Sequence, residues 1–490
     1  MAISFLQVPT GVKVPGVYTE VDPSKANQGP NIQPHKVLLV GSRLAAGTKA
    51  AGTIDLLSSD SQAREFYGPG SILSGMASVH FGENKINSVS AIALDDDGGA
   101  VKASGSYEIV TAPTADGTLV VMIGGREYKV AVDSADTEAA IITALIASVN
   151  ADADAYVTAL VNGGNADQMD ITAKNGGVTG NDIDIRENFY VGQELPVGIT
   201  TTIVAMASGA TNPSVAAVIT AMGETQFHEI VIAYSDAANL NLFQVEMQDR
   251  WGPIRANDGH VYFAKKESFS THITFLDSRN NEQESVMNIA GPTPTWEWAA
   301  NMAAIIAREA QNDPALPFQT VDFTQVKAPK DAEFFSFSER DQMLKAGSST
   351  FNLDPNGFAQ IERMRTTRVE NDFAAADESL ADLNPKLTLS YLRFDFRVNH
   401  LVKFSRHKLV DDGTRVGPGQ RVISPKIGKA EAIARFRLWE ELGLVEGAEQ
   451  FKNDIIVERN AADPTRLDYR LGPDLANQLR VAGVQFQFLL

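Results

Sequence analysis

The strongest constraint on this chain lies at its two ends, both of which read as edge β-strands with no partner of their own. The start runs Ile3-Ser-Phe-Leu-Gln-Val8 into a Pro9-Thr-Gly11 break, and the finish is Val481-Ala-Gly-Val-Gln-Phe-Gln-Phe-Leu-Leu490. In the finish, Val484, Phe486, Phe488 and Leu490 share one face and Gln485 and Gln487 the other, the period-2 pattern of a half-buried strand. Termini usually fray into polar tails, so an end that stays apolar needs a sheet to join. If that sheet belongs to another copy, each subunit donates and accepts strands, and a polymer follows rather than a lone enzyme. The side chains expected to carry the exchange are Ile3, Phe5 and Val8 at one end and Val484, Phe486, Phe488 and Leu490 at the other.

Composition narrows the alternatives. A length of 490 residues favours several domains. Lys+Arg 42 against Asp+Glu 61 leaves a formal charge of −19, which would repel phosphate and disfavours direct nucleic-acid binding by the whole chain. There is no cysteine, so disulfides, thiolate nucleophiles and Cys-type zinc sites are excluded. The N-terminus lacks a signal-peptide pattern and no stretch reaches the length of a membrane span, so cytoplasmic synthesis is the expectation and membrane insertion is not.

The order of elements predicts an α/β and α+β multidomain chain. Residues 1–34 read as an arm and linker, because Pro23, Pro30 and Pro34 exclude helix and central strand there. Buried-strand runs at Lys36-Val-Leu-Leu-Val40 and in residues 88–94 alternate with helical stretches, the signature of an α/β layer structure. The texture changes after Asp95-Asp-Asp97-Gly98-Gly99. Residues 100–196 read as an inserted α+β domain of short alternating strands, with Gly124-Gly125 as a two-residue hairpin turn. That block is acidic, with 13 Asp/Glu against four Lys/Arg between Gly105 and Tyr190. The α/β pattern resumes over 197–318, so the middle domain is discontinuous (35–99 plus 197–318). Residues 319–476 form a C-terminal α+β domain with expected strands at 386–398 and 400–404 and a helix at 427–442. Residues 477–490 form the closing strand arm.

No catalytic foothold emerges. The segment Gly41-Ser-Arg-Leu-Ala-Ala-Gly47-Thr48-Lys49 has five residues between its glycines and Thr before Lys, where a phosphate-cradling loop needs four and the opposite order. The seven histidines show no ligand pair at helical or strand spacing, and no G-x-S-x-G occurs. The expectation is no enzyme activity and no cofactor or metal. From Lys386 to Arg480, 17 Lys/Arg face 13 Asp/Glu, a locally positive region on an acidic chain. Its helix carries Lys426, Lys429, Arg435 and Arg437, read either as a solvated face or as a cationic face turned toward an acidic partner.

The chain resembles the tail sheath proteins of contractile phages, most closely the Mu-like tail sheath family. The resemblance rests on Val14-Pro-Gly-Val-Tyr-Thr-Glu20 and on the closing third. There Arg435-Phe-Arg-Leu-Trp439-Glu440-Glu-Leu-Gly-Leu-Val-Glu446 is followed by Phe451-Lys-Asn-Asp-Ile-Ile-Val-Glu-Arg-Asn460, Asp463-Pro-Thr-Arg-Leu-Asp468 and Pro473-Asp-Leu-Ala-Asn-Gln-Leu-Arg480. It implies a C-terminal sheath core domain, homo-hexameric rings in a helical polymer, and a location in the virion tail. The implied partners are an inner tail tube protein, with Lys426, Lys429, Arg435 and Arg437 as tube-facing candidates, and the baseplate and tail terminator proteins. Contraction would drive the tube through a host envelope, with both arms adding strands to neighbours' sheets. The alternative is a non-contractile self-assembling viral or fibre structural protein.

Overall fold

The computed structural model describes Lys13, Val14, Thr19 and residues 32–489. The expected N-terminal arm, with Ile3, Phe5 and Val8, and the last residue, Leu490, lie outside the described residues. The chain divides into two compact units. One comprises Pro34–Ser390 together with Asn477–Leu490, and the other is built on Tyr391–Ala476. The division therefore falls at Tyr391, inside the 22-residue helix Leu383–Phe404.

The large unit is organised by a six-stranded sheet. In spatial order its strands are Glu284–Asn288, His260–Lys265, Glu229–Ile232, Lys36–Ser42, Ser88–Leu94 and Ile54–Leu57. Neighbours are parallel except for the edge strand Ile54–Leu57, which runs antiparallel to Ser88–Leu94. Val37, Leu38, Leu39 and Val40 are all fully buried, so both faces of the strand are covered. This is why the run is continuously apolar instead of alternating. The helices Ile72–Glu83 and Thr295–Asn312 pack on each other and on the sheet. The second is the unit's central helix, with Trp296, Trp298, Ile305 and Ile306 buried.

The insert is larger than its sequence punctuation implies. A four-stranded sheet is ordered Thr200–Ala207, Ser104–Thr111, Gln168–Ala173, Val157–Val161, and a three-stranded sheet Arg126–Val132, Gly117–Ile123, Ile185–Glu187. Pro196 and Gly198 look like an end, yet Thr200–Ala207 returns to pair antiparallel with Ser104–Thr111, and the block closes at the Val101–Ala210 bridge. The Gly124-Gly125 turn is as expected. Both residues have positive φ (54° and 79°), which a two-residue turn between twisted strands requires.

The insert is docked on the middle layer through a polar seam. Tyr156 donates its hydroxyl to Glu297 on the central helix and stands edge-on to Trp296 at 5.0 Å. Thr295 donates to Asp182 at 2.8 Å, Lys266 to Asp184 at 2.7 Å, and Arg64 pairs with Asp154 at 2.9 Å. Gly75 makes room for the tyrosine, since a Cβ there would sit 1.9 Å from its hydroxyl. Burial pushes the Glu297 carboxyl up from 4.5 to about 7, against the opposing Tyr156 hydrogen bond and the charges of Arg126 and Lys327. Between those values the folded chain holds a proton that the unfolded chain has released. The stability this group supplies is therefore complete below pH 4.5 and is lost as pH rises to 7, by about 3 kcal/mol at roughly 1.4 kcal/mol per pH unit. Glu297→Gln keeps an acceptor for Tyr156 and removes the proton. Denaturation midpoints at pH 5 and 7.5 are expected to differ through this group in the wild type and to converge in the variant.

The small unit corrects the sequence reading most. The expected strands 386–398 and 400–404 are one helix, Leu383–Phe404. The run Leu-Thr-Leu-Ser-Tyr-Leu-Arg-Phe-Asp-Phe alternates like a strand, but the buried positions Leu383, Asn384, Lys386, Leu387, Thr388, Leu392 and Asp395 do not alternate. Pro385 sits in the first turn, where its missing N–H leaves no bond unmade. In the rest of the unit, helix Pro425–Glu441 and helix Ala448–Asp454 pack through Phe436 and Phe451, whose rings stack at 4.1 Å. Three two-stranded ribbons complete it: Lys408–Leu409 with Val422–Ile423, Val445–Glu446 with Asp474–Leu475, and Ile456–Arg459 with Leu467–Arg470.

Candidate assembly interface

The closing segment is held at its root and bare beyond it. Gln478 donates to the Ala315 carbonyl at 3.2 Å and Arg480 to the Asn384 amide oxygen at 3.1 Å, with Asp382 3.7 Å from the same guanidinium. Past Arg480, residues 481–489 form no strand and every one is exposed. Val484 is 71% exposed, Phe486 90% and Phe488 80%. Three large apolar side chains left in water are costly for a lone molecule. The expected strand finds no partner within the described residues of its own chain.

The small unit's ribbons are two-stranded among the described residues, and helix Pro425–Glu441 packs on the strands Val445–Glu446 and Ile456–Arg459. Two-stranded ribbons are marginal alone, and three strands or a covering element are needed for stability. Each ribbon of the small unit lacks a third strand among the described residues. The ribbon Ile456–Arg459 with Leu467–Arg470 is only half-buried along its length, with Ile456 46% exposed.

The four cationic candidates separate. Lys426 and Arg437 are exposed, and eleven residues on a helix bring them within about 20° of the same face. Lys429 is half-buried and donates to the Ile455 carbonyl at 3.0 Å. Arg435 is a correction: it points inward, 6% exposed, with its guanidinium forked onto the fully buried Asp395. Trp439 donates its indole N–H to the same carboxylate at 2.6 Å. Arg435 and Trp439 are four apart and so share a helix face. That spacing, with a lone acid inside the apolar run 391–398, was the available signal for the Asp395 partnership. The anchors Gln478 and Arg480 had no sequence signal.

The glycine-flanked segment after the first strand is built into the fold. The backbone N–H groups of Gly47, Thr48 and Lys49 donate to the carbonyls of Leu44, Glu65 and Phe66, so the donors a phosphate would need are engaged. Lys49 pairs with Asp55 at 3.2 Å. Among the described residues no helix is long and apolar enough to cross a membrane.

Comparison with known proteins places this architecture. The phage tail sheath protein central domain matches residues 208–367, beginning just past the last insert strand, and the phage tail sheath C-terminal domain matches residues 375–488. The chain belongs to the phage tail sheath family. It is 36% identical over 491 residues, the whole of both chains, to the Mu-like prophage FluMu tail sheath protein of Haemophilus influenzae. Among solved structures it shares its fold with the PVC sheath complex of an extracellular contractile injection system in the contracted state, at a TM-score of 0.51 and 8% identity over 98% of each chain. A sheath tail protein from Desulfitobacterium hafniense aligns over 94% of this chain and 100% of its own at a TM-score of 0.47 and 12% identity.

Proposed function

We propose that this chain is the subunit of a contractile tail sheath, a structural protein and not an enzyme. Subunits stack as hexameric rings around an inner tube protein, between a baseplate and a terminator, and shorten to drive the tube through a host envelope. The terminal segments add strands to the small units of neighbours, so the lattice stays connected while rigid bodies move. What supports this reading is the exposed segment 481–489, rooted by Gln478 and Arg480, in which Val484, Phe486 and Phe488 are all in solvent. A heterologous contact that does not close on itself generates a helix. Shortening then needs no nucleotide, only two packings of the same subunit separated by a barrier. The tail belongs to the virion, and the subunit is made in the host cytoplasm without binding nucleic acid directly.

Electron microscopy of the purified protein tests the reading. Hollow striated cylinders of two lengths and widths are the expected result, whereas closed shells, smooth fibres or discrete particles contradict it. The tube contact is assigned to the exposed pair Lys426 and Arg437, with Lys429 beside them. Reversing Lys426 and Arg437 to Glu is expected to lower co-sedimentation with the tube protein at least tenfold in low salt while leaving sheath subunits folded. Unchanged co-sedimentation would remove that face from the interface. Arg435 is left out of this set because changing it would remove the guanidinium that faces the buried Asp395 carboxylate and so destabilise the unit.

A further inference from the structure

A chain that ends in an unpaired apolar strand segment has to protect every sheet edge where that segment should not bind. The insert's four-stranded sheet has two edges, Val157–Val161 and Thr200–Ala207. On the first, Lys174 N donates to Tyr156 O, and Asn162 N to Gln168 O. In an antiparallel ladder this pattern turns the backbone of residues 156, 158, 160 and 162 toward the neighbouring strand and that of 157, 159 and 161 outward. At the middle of the outward edge, both groups of Ala159 are occupied by one side chain. Ala159 N donates to Asn150 Oδ1 at 3.0 Å, and Asn150 Nδ2 donates to Ala159 O at 2.8 Å. An asparagine amide so placed reproduces the donor and acceptor pair that a fourth-neighbour peptide would offer. It comes from the last turn of the helix Glu138–Ala151, which runs directly into this strand. The opposite edge is interrupted by two register shifts, between Thr200 and Thr201 and between Val204 and Ala207, and such bulges disfavour edge pairing.

We propose that Asn150 is an edge seal, closing the insert's sheet to the closing segment of another copy. The strand needs one. Leu160 is 69% and Val161 46% exposed beside Ala159, an apolar edge of the kind that captures strands. In the small unit Lys429 holds the Ile455 carbonyl beside the ribbon Ile456–Arg459, but among the described residues no side chain is seen to hold both backbone groups of one ribbon residue, and that contrast makes the donor choose its acceptor. This inference rests on the reading that residues 481–490 add to another subunit's sheet.

The test uses the full chain carrying a photo-reactive phenylalanine analogue in place of Phe486, with and without Asn150→Ala. Amide exchange at Ala159 is followed alongside. The seal predicts at least tenfold faster exchange at Ala159 in the variant, and new inter-subunit cross-links from position 486 to residues 157–161 that the parent lacks. Faster exchange with cross-links still confined to the small unit would overturn the seal and leave strand donation standing. Absence of inter-subunit cross-links in both chains would overturn strand donation and the seal together. Asn150→Asp guards against misfolding as the explanation, since it keeps the acceptor for Ala159 N and loses only the donor. It is expected to give cross-links to 157–161 at an intermediate level, and none at all would count against the seal.

Discussion

Deleting residues 484–490 is expected to yield a folded chain that stays monomeric at concentrations where the proposed sheath polymer of the full-length protein forms. The segment is anchored by Gln478 and Arg480, both upstream of the deletion, and residues 484–489 are exposed in the lone chain, so folding is expected to survive. Association is not. Val484, Phe486 and Phe488 each contribute roughly 1.5–3 kcal/mol when buried, and a strand of about six residues adds several backbone hydrogen bonds of about 1 kcal/mol net. Loss of the apolar side chains alone corresponds to a drop in association of about three orders of magnitude or more. Sedimentation velocity on the truncated and full-length chains reads this directly. Normal polymers from the truncated chain would show that the contact lies elsewhere.

The second large effect is in the small unit's interior. Asp395 is fully buried and accepts from both Arg435 and Trp439. Asp395→Ala leaves a guanidinium and an indole N–H in the core without an acceptor, and breaking a buried pair by removing one partner costs about 3–5 kcal/mol. For a unit of this size that is a large share of a total stability of roughly 5–15 kcal/mol. Faster hydrogen exchange is expected throughout Tyr391–Ala476, with the six-stranded sheet of the other unit little changed. Trp439 is the unit's one tryptophan in the sequence, so its emission reports the same loss. A change below about 1 kcal/mol would mean that the pair is solvated and contributes as little as a surface bridge.

Much of the architecture was legible because local pattern and tertiary demand agree. The strands at Lys36–Ser42, Ser88–Leu94 and Glu229–Ile232 are continuous apolar runs because each is covered on both faces, and the alternation with helices identified the layer class. Thr137 caps its helix by accepting from Ala140 N, as a threonine before an apolar periodic run leads one to expect. The failures share a cause. Helix Leu383–Phe404 was hidden because it buries Lys386 and Asp395 on opposite sides, and a polarity pattern assigns both to solvent. Lys386 donates to the Gly259 carbonyl and His260 Nδ1, at 2.7 and 2.8 Å, residues more than a hundred positions away. Arg435 was misassigned for the same reason. The insert's true end was hidden because Thr200–Ala207 pairs with a strand nearly a hundred residues earlier, and no local signal records a partner that distant.

The closing segment alternates in sequence, and residues 481–489 are exposed in the structure without forming a strand; strand donation is the proposal that connects the two. The most direct measurement is a high-resolution reconstruction of the assembled polymer in which the path of residues 481–490 is traced. Strand donation predicts that this segment lies hydrogen-bonded along a ribbon of another subunit's small unit, with Phe486 and Phe488 buried there. Finding it folded back against its own large unit, or still solvent-exposed in the polymer, would contradict the account.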